Sequence, residues 1–585
     1  MQNHLGSDER VIVGLARRSL ACVKAIDEKT YLVAALICIM ALLVLPPLFF
    51  LVVGAVTVSD ADGVRITFER FSLLLDQKGI LFSTINSFIF AFGSAVLALV
   101  IGGTAAWLVE RTNAPLKSLT YVTNIIALGT PYVLYTSAWL LLLARSGPIN
   151  TWYRQVTGGT ETLINVYGMA GMILIEGLLW SPLVFLLLGA TLRNFNPALE
   201  EAARMSGAGT WSIIQRITLP LSLPSIRALT MLVFIRTVEA FEVPALVGTP
   251  GRVRVLTTDI YELMHRVIPP DIGSASALSL ILLGVVAILL YFYARLTKNA
   301  EKFATVTGKS FRPNQFDLGR WRPVAAFGLA FYFSLLIVLP CFILVWASLL
   351  PFYQTIKSSA FTLVTLDNYR AIFTSYRYIE LTLNTITIAL VSASVVMVLT
   401  AICAWLTVRK APGAKIIDQL GTTPLVFPGI VLGVGVMQFF LNIPIGGYGT
   451  IWIIIWAFLI NYLPYGVRYS YAGMIQLHRE LEEAAAASGA TPIQGFRRIV
   501  FPLLAPSLIA GWLFIFLLST RALSLPVLLS GPGSQTMAVA MFDLWGNGQG
   551  PELAALGLVW SLAMACIAVL FYSVARRSGG GLPAN

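Results

Sequence analysis

The sequence predicts an all-α polytopic membrane protein, with about twelve transmembrane helices in two parallel six-helix repeats. Three observations predict it. Of 585 residues, 57% are hydrophobic and only 12% charged, with 33 Phe, 13 Trp and a mean hydropathy of +0.80, outside the range of a soluble globular domain. Apolar windows of about 20 residues, enough to cross a hydrocarbon core as helix, recur along the whole chain. A polar decapeptide pattern occurs twice, EEAARMSGAG from Glu200 and EEAAAASGAT from Glu482, 282 residues apart.

In chain order the expected spans are 31–53, 82–108, 119–143, 168–192, 222–246, 272–294, 324–349, 380–407, 417–441, 449–476, 505–529 and 555–575. The third and ninth are rich in Pro and Gly and show the weakest signal of the twelve. The first apolar run follows a polar segment and is long enough to span, so it reads as a retained helix and not a cleavable signal. With the amino terminus inside, the inner segments hold most of the 40 Lys and Arg, which fits the positive-inside bias of a multi-pass inner-membrane protein. Both decapeptides then face the cytoplasm. The net charge of +12 follows from these flanking residues; they form no continuous patch, which argues against nucleic acid. Cys22, Cys38, Cys341, Cys403 and Cys566 show no pairing or CxxC spacing and read as small core-packing residues, neither disulfides nor metal ligands.

Laid on each other, the two copies run without a gap from Glu200/Glu482 to Gly251/Gly533, and 13 of the first 26 positions are identical. Upstream, AWL at 106–108 matches AWL at 404–406 and Asn86 matches Asn384 at one common shift. The chain therefore reads as a tandem duplication. Six spans per half, an even number, give both halves the same polarity about a pseudo-two-fold axis along the membrane normal. The expected division is a cytoplasmic amino-terminal segment 1–30, a first half 31–294, a basic linker 295–323, a second half 324–576 and a cytoplasmic tail 577–585.

Within each copy, the Glu-Glu-Ala-Ala run favours helix, the following Gly ends it, and two prolines lead into the next span. Polar groups left unpaired in lipid are costly, so each copy belongs in water or against a partner. The pattern resembles the signature of permease subunits of ATP-binding cassette importers served by a binding protein: EAA, three residues, Gly, nine residues, Ile, one residue, Leu-Pro. The first half matches with Glu201, Ala202, Ala203, Gly207, Ile217, Leu219 and Pro220. The second matches with Glu483, Ala484, Ala485, Gly489, Ile499 and Pro502, with Phe501 in place of Leu.

The resemblance implies that Glu200, Glu201, Ala202, Ala203 and Gly207, and Glu482, Glu483, Ala484, Ala485 and Gly489, form two coupling helices that dock in grooves of two ATPase subunits. It also implies a periplasmic or lipid-anchored substrate-binding protein as partner. ATP and Mg are then bound by the partner ATPase, and no cofactor is expected on this chain. The GKS at 308–310 is not a phosphate-binding loop, because Phe303 stands where its first Gly belongs. No HExxH, GxSxG or Cys/His cluster accompanies His4, His265 and His478, so neither an enzyme active site nor a metal site is expected.

Ionisable residues inside spans are costly and therefore informative. Arg236, Glu239 and Glu242 recur at steps of three on one helix face, and Leu518, Arg521 and Ser524 occupy the matching positions. Either Glu239 pairs with Arg521 across the halves, or Arg236 and Glu239 neutralise each other within one half. Glu176 and Arg468 are further pathway candidates; Tyr132 and Trp152 read as interfacial anchors. The fused layout together with FEVPALVGTPG most resembles ferric-iron permeases, and carboxylates suit a hard cation. Thiamine, phosphonate or polyamine import is the alternative within the class; an ion-coupled secondary transporter and a channel are the alternatives outside it.

Overall fold

The computed structural model describes residues 28–60, 63–76, 78–193, 198–298, 315–444 and 446–577. The amino-terminal segment with His4 and Cys22, the GKS at 308–310 and the end of the tail lie outside the described residues. Among the described residues ten helices are long and apolar enough to cross a membrane, and two bent pairs bring the number to twelve if each is one span. The order is α1 (Glu28–Val56), α2 (Lys78–Arg111), α3 (Lys117–Gly129), α4 (Tyr132–Leu143), α5 (Met169–Arg193), α6 (Ala198–Met205), α7 (Trp211–Val238), α8 (Leu256–His265) and α9 (Ile272–Lys298). The second half repeats it from α10 (Gly319–Ser348) through α11 (Tyr376–Val408), α12 (Ala414–Thr422), α13 (Gly429–Asn442), α14 (Ile451–Ile475), α15 (Glu480–Ala487), α16 (Pro492–Arg521) and α17 (Met537–Gly546) to α18 (Gly550–Arg577). A short antiparallel hairpin, Thr57–Asp60 with Gly63–Ile66, follows α1.

The third and ninth expected spans are not straight helices. The chain bends by 107° between α3 and α4, and by 111° before α13. Pro131 and Pro428 stand at the two breaks, and the residues ahead of them are extended, with ψ of 133° at Thr130 and 112° at Phe427. Proline lacks the N–H for the helical ladder and pushes its predecessor out of the α region. α7 and α16 each carry a π-helical turn, Ile214–Thr218 and Phe496–Val500, just ahead of Leu219-Pro220 and Phe501-Pro502. The wider turn accommodates the carbonyl that the proline cannot pair with.

Each half lends its first span to the other. α1 packs on α12 and α13 of the second half as well as on α9, while α10 packs on α3 and α4 of the first half and on α18. Small residues permit the approach: a Cβ on Gly435 would stand 2.8 Å from the Pro47 carbonyl oxygen. Tyr332 donates to Asn124 Oδ1 at 2.6 Å, Tyr353 to the Leu141 carbonyl at 2.6 Å, and Gln438 Nε2 to Ser276 Oγ at 3.0 Å. These pin the halves together. Among the described residues the cysteines depart from expectation: Cys403 alone is buried, 3.5 Å from Met40 Sδ, whereas Cys38, Cys341 and Cys566 are exposed on their helices. Where the surroundings are lipid tails, an apolar residue gains nothing from an interior position, so hydropathy does not separate the two faces.

Candidate functional site

The two motif helices, α6 and α15, end in the same way. Gly207 at φ +80° and Gly489 at φ +85° adopt the left-handed conformation that glycine alone enters without strain. In the first, Gly207 N–H donates to the Arg204 carbonyl at 2.9 Å and Ala208 N–H to that of Ala203 at 3.0 Å; in the second, Gly489 donates to Ala486 at 2.9 Å and Ala490 to Ala485 at 3.0 Å. This pair of bonds is the Schellman termination. It turns the chain sharply and leaves Ala202, Glu201 and Glu483 on the exposed side.

The first glutamate of each motif faces inward instead. Glu200 is buried against Arg111 at the end of α2 and accepts from Thr218 Oγ1 at 2.8 Å. Glu482 accepts from Arg409 Nε at 2.7 Å at the end of α11, and from Trp405 Nε1 at 2.9 Å. Each motif helix is thus wired by an ion pair to a long spanning helix, at equivalent places in the two halves. The sequence reading missed both arginines. The signal was present: AWLVER and AWLTVR extend the AWL match at its own shift and put Arg111 opposite Arg409.

At the opposite end the duplication also persists. Ser87 Oγ accepts from Leu256 N–H at 3.0 Å, and Thr385 Oγ1 from Met537 N–H at 2.8 Å, so α2 caps α8 and α11 caps α17 alike. Asn86 and Asn384, beside those hydroxyls, donate to the Arg254 and Gly533 carbonyls.

The intramembrane charges resolve the two readings of Glu239. Arg236 Nη1 lies 2.8 Å from Glu239 Oε2, and its other nitrogen is 3.4 Å from Tyr465 OH of the second half. Arg521 does not meet Glu239; it donates to the Leu128 carbonyl, and its Cζ sits 4.9 Å over the Tyr132 ring. Arg236 and Arg521, which stand at different positions of the repeat, each reach across to the other half, through a tyrosine or a carbonyl and not through a carboxylate. Glu176 is buried and accepts from Trp180 Nε1 at 2.8 Å on its own helix. Glu176 and Glu242 lie within electrostatic reach of Tyr132, and Glu242 also of Arg521. Tyr132 is therefore no interfacial anchor: it stands at the α3–α4 break, amid the charges. Arg468 is exposed and outside this group, and Trp152 is 61% exposed on a short helix after α4. Among the described residues no group of three His, Cys, Asp or Glu is placed to hold a metal ion.

The sequence profile described as binding-protein-dependent transport system inner membrane component matches residues 98–302 and again residues 396–579. The chain belongs to that family. It is the permease component of a binding-protein-dependent ATP-binding cassette importer, a non-catalytic multi-pass membrane subunit whose ATPase is a partner chain, which removes the ion-coupled transporter and the channel as readings. The permease is 26% identical over 574 residues to the ferric transport system permease protein FbpB of Actinobacillus pleuropneumoniae, covering 96% of this chain and 80% of that one. It is 25% identical over 529 residues to the putative ferric transport system permease protein FbpB 1 of Haemophilus influenzae, covering 88% and 80%. It is 31% identical over 201 residues to the putrescine transport system permease protein PotI of Escherichia coli, covering 33% of this permease and 70% of that relative.

Proposed function

We propose that α6 and α15 are the docking points for two ATPase subunits on the cytoplasmic side, and that the permease imports ferric iron handed over by a periplasmic or lipid-anchored binding protein. The observation that carries the docking assignment is the twin ion pair, Arg111 with Glu200 and Arg409 with Glu482. A displacement of either motif helix is delivered through a charged, hydrogen-bonded joint to the end of α2 or α11, so closure of the ATPase subunits rocks the halves. The Lys and Arg bias supports a cytoplasmic amino terminus, with functional halves at 31–294 and 324–576.

Ferric iron is supported by the names of two relatives that align over most of the chain. Glu176, which is buried, and Glu242 lie within electrostatic reach of Tyr132 at the α3–α4 break, and Glu239 pairs with Arg236 at the end of α7; broken helices are the setting in which transporters of repeat design place their path. These carboxylates supply hard oxygen donors. Polyamine import is the second reading, favoured by the likeness to the putrescine permease and by the same carboxylates. The test is uptake into proteoliposomes holding the permease, its ATPase and its binding protein. ATP-dependent accumulation of radioactive iron, with none of labelled putrescine, is expected. Uptake of the diamine alone overturns iron, and uptake without ATPase overturns the docking assignment.

A further inference from the structure

The two motif helices are joined to their spanning helices by equivalent ion pairs, but the first carries a feature that the second lacks among the described residues. Just before α10, the end of the linker returns to the first site. Phe316 N–H donates to the Arg111 carbonyl at 2.8 Å and its own carbonyl accepts from Asn113 N–H at 3.1 Å, a parallel bridge across Thr112. Asn113 then clasps the next residues: its Nδ2 donates to Asp317 Oδ1 at 2.6 Å, and its Oδ1 accepts from Leu318 N–H at 3.0 Å. The Phe316 ring is only 2% exposed, 6.4 Å from the Trp107 ring, and the Arg204 guanidinium of α6 lies 4.4 Å over it.

The second site has none of this among the described residues. Arg204 is replaced by Ala486, and the aromatic partner of Trp405 is Phe496 of its own half, 4.8 Å away. Thr112 and Asn113 correspond to Lys410 and Ala411, which carry no bridged segment.

We propose that residues 315–318 are a brace that fixes α6 and the end of α2 to the start of α10, making the first coupling helix the stiffer of the two. Because α10 begins at Gly319 and packs on α3 and α4 as well as on α18, a push on α6 passes directly to a helix that touches both halves. The second motif helix, tied to α11 and α14, has no such bridged segment among the described residues. The proposal rests on the docking assignment for its consequence, though not for its geometry. Phe316 and Asp317 act as positioning residues, and Arg204 is the contact of Phe316 on the helix that the ATPase meets.

Two measurements separate these parts. In the first, hydrogen exchange is followed on the permease alone in lipid nanodiscs. Phe316→Ala is expected to raise exchange across residues 198–205 about tenfold while residues 480–487 stay as in the wild type; Phe316→Tyr retains protection. Arg204→Ala, which removes only the guanidinium from the ring, is read in the same way and keeps the test open if Phe316→Ala fails to accumulate. Unchanged exchange at 198–205 in both variants overturns the brace. In the second, the complete importer in proteoliposomes with Phe316→Ala, assayed with its ATPase at saturation, is expected to consume several times more ATP per solute moved. A wild-type ratio of ATP to solute overturns transmission through the brace. ATPase subunits that never engage α6, even in the wild type, overturn the docking assignment and leave the exchange result standing.

Discussion

Arg409 Nε lies 2.7 Å from Glu482 Oε1, and both side chains are about five-sixths buried, at 15% and 16% exposure. The same arginine donates to the Leu477 carbonyl at 3.1 Å, so it ties the motif helix to the end of α14 as well as to α11. Removing one partner of such a pair leaves the other charge without compensation, at roughly 2–3 kcal/mol for this degree of burial. Arg409→Ala is therefore expected to loosen Glu480–Ala487, seen as faster hydrogen exchange there, and to weaken ATPase binding. The exchanged pair, Arg409→Glu with Glu482→Arg, should recover part of both. Equal defects in the single and exchanged variants would show that the pair is not what holds the helix.

Gly207 and Gly489 give a test free of packing changes. No atom lies within 4 Å of where a Cβ would stand on either residue, so only the left-handed φ of +80° and +85° resists a side chain. Gly207→Ala is expected to lose about 1 kcal/mol of local stability and about fivefold in ATPase affinity, with normal membrane insertion. Gly207→Asn, which tolerates that conformation better, should fall in between. Binding measured by co-purification or by surface titration checks both; alanine as good as glycine would sink the assignment of the turn.

How much of this was legible in the sequence depends on what physical signal each feature leaves. The duplication left identical polar residues, so the motif helices, their glycine stops and the placing of Glu200 opposite Glu482 could be read directly. The shift that pairs AWL with AWL also held Arg111 and Arg409, and the ion pairs were readable from it. The exchange of α1 and α10 between halves left no such trace, because helix faces that meet lipid and faces that meet protein are equally apolar. Hydropathy found the third and ninth spans; Pro131 and Pro428 hinted at irregularity, but the angle of the break depends on what packs around it. The partner of Glu239 stayed open between Arg236 and Arg521 for a related reason: equivalent positions in two halves need not touch when the intervening helices are broken.

Asp259, on α8 between two spans, offers a pH test. Burial pushes its carboxyl up to about 6, against the lowering effects of a hydrogen bond from Ser83 and the charge of Arg254. An acid whose folded value is raised favours the protonated native state. As pH climbs from about 4 to about 6 the unfolded chain ionises first, so native stability declines through that window and the loss is complete above it. Asp259→Asn keeps an acceptor for Ser83 without the charge. Its thermal midpoint is expected above that of the wild type at pH 7.5, by the equivalent of roughly 1–2 kcal/mol after allowance for solvent screening, and to converge with it near pH 4. A constant difference at both pH values would show that the carboxyl titrates normally.

The Arg236–Glu239 pair settles what charge exchange should do within the membrane. Each single reversal, Arg236→Glu or Glu239→Arg, sets two like charges 2.8 Å apart in a site where the Glu239 side chain is only 8% exposed, and about 3 kcal/mol of destabilisation is expected. The combined reversal of this pair should restore accumulation of the protein in the membrane. Reversing Glu239 together with Arg521 should not, because Arg521 is engaged by the Leu128 carbonyl and the Tyr132 ring and leaves Glu239 to Arg236. A neutral double variant, Arg236→Met with Glu239→Gln, then separates packing from transport. It should insert as well as the wild type, since a pair replaced together leaves no lone charge, yet lose uptake if these groups meet the solute. Full uptake by the neutral variant would confine the pair to holding the end of α7 in place, and rescue by the Glu239 and Arg521 reversal would mean that the halves meet through a different pairing from the one seen here.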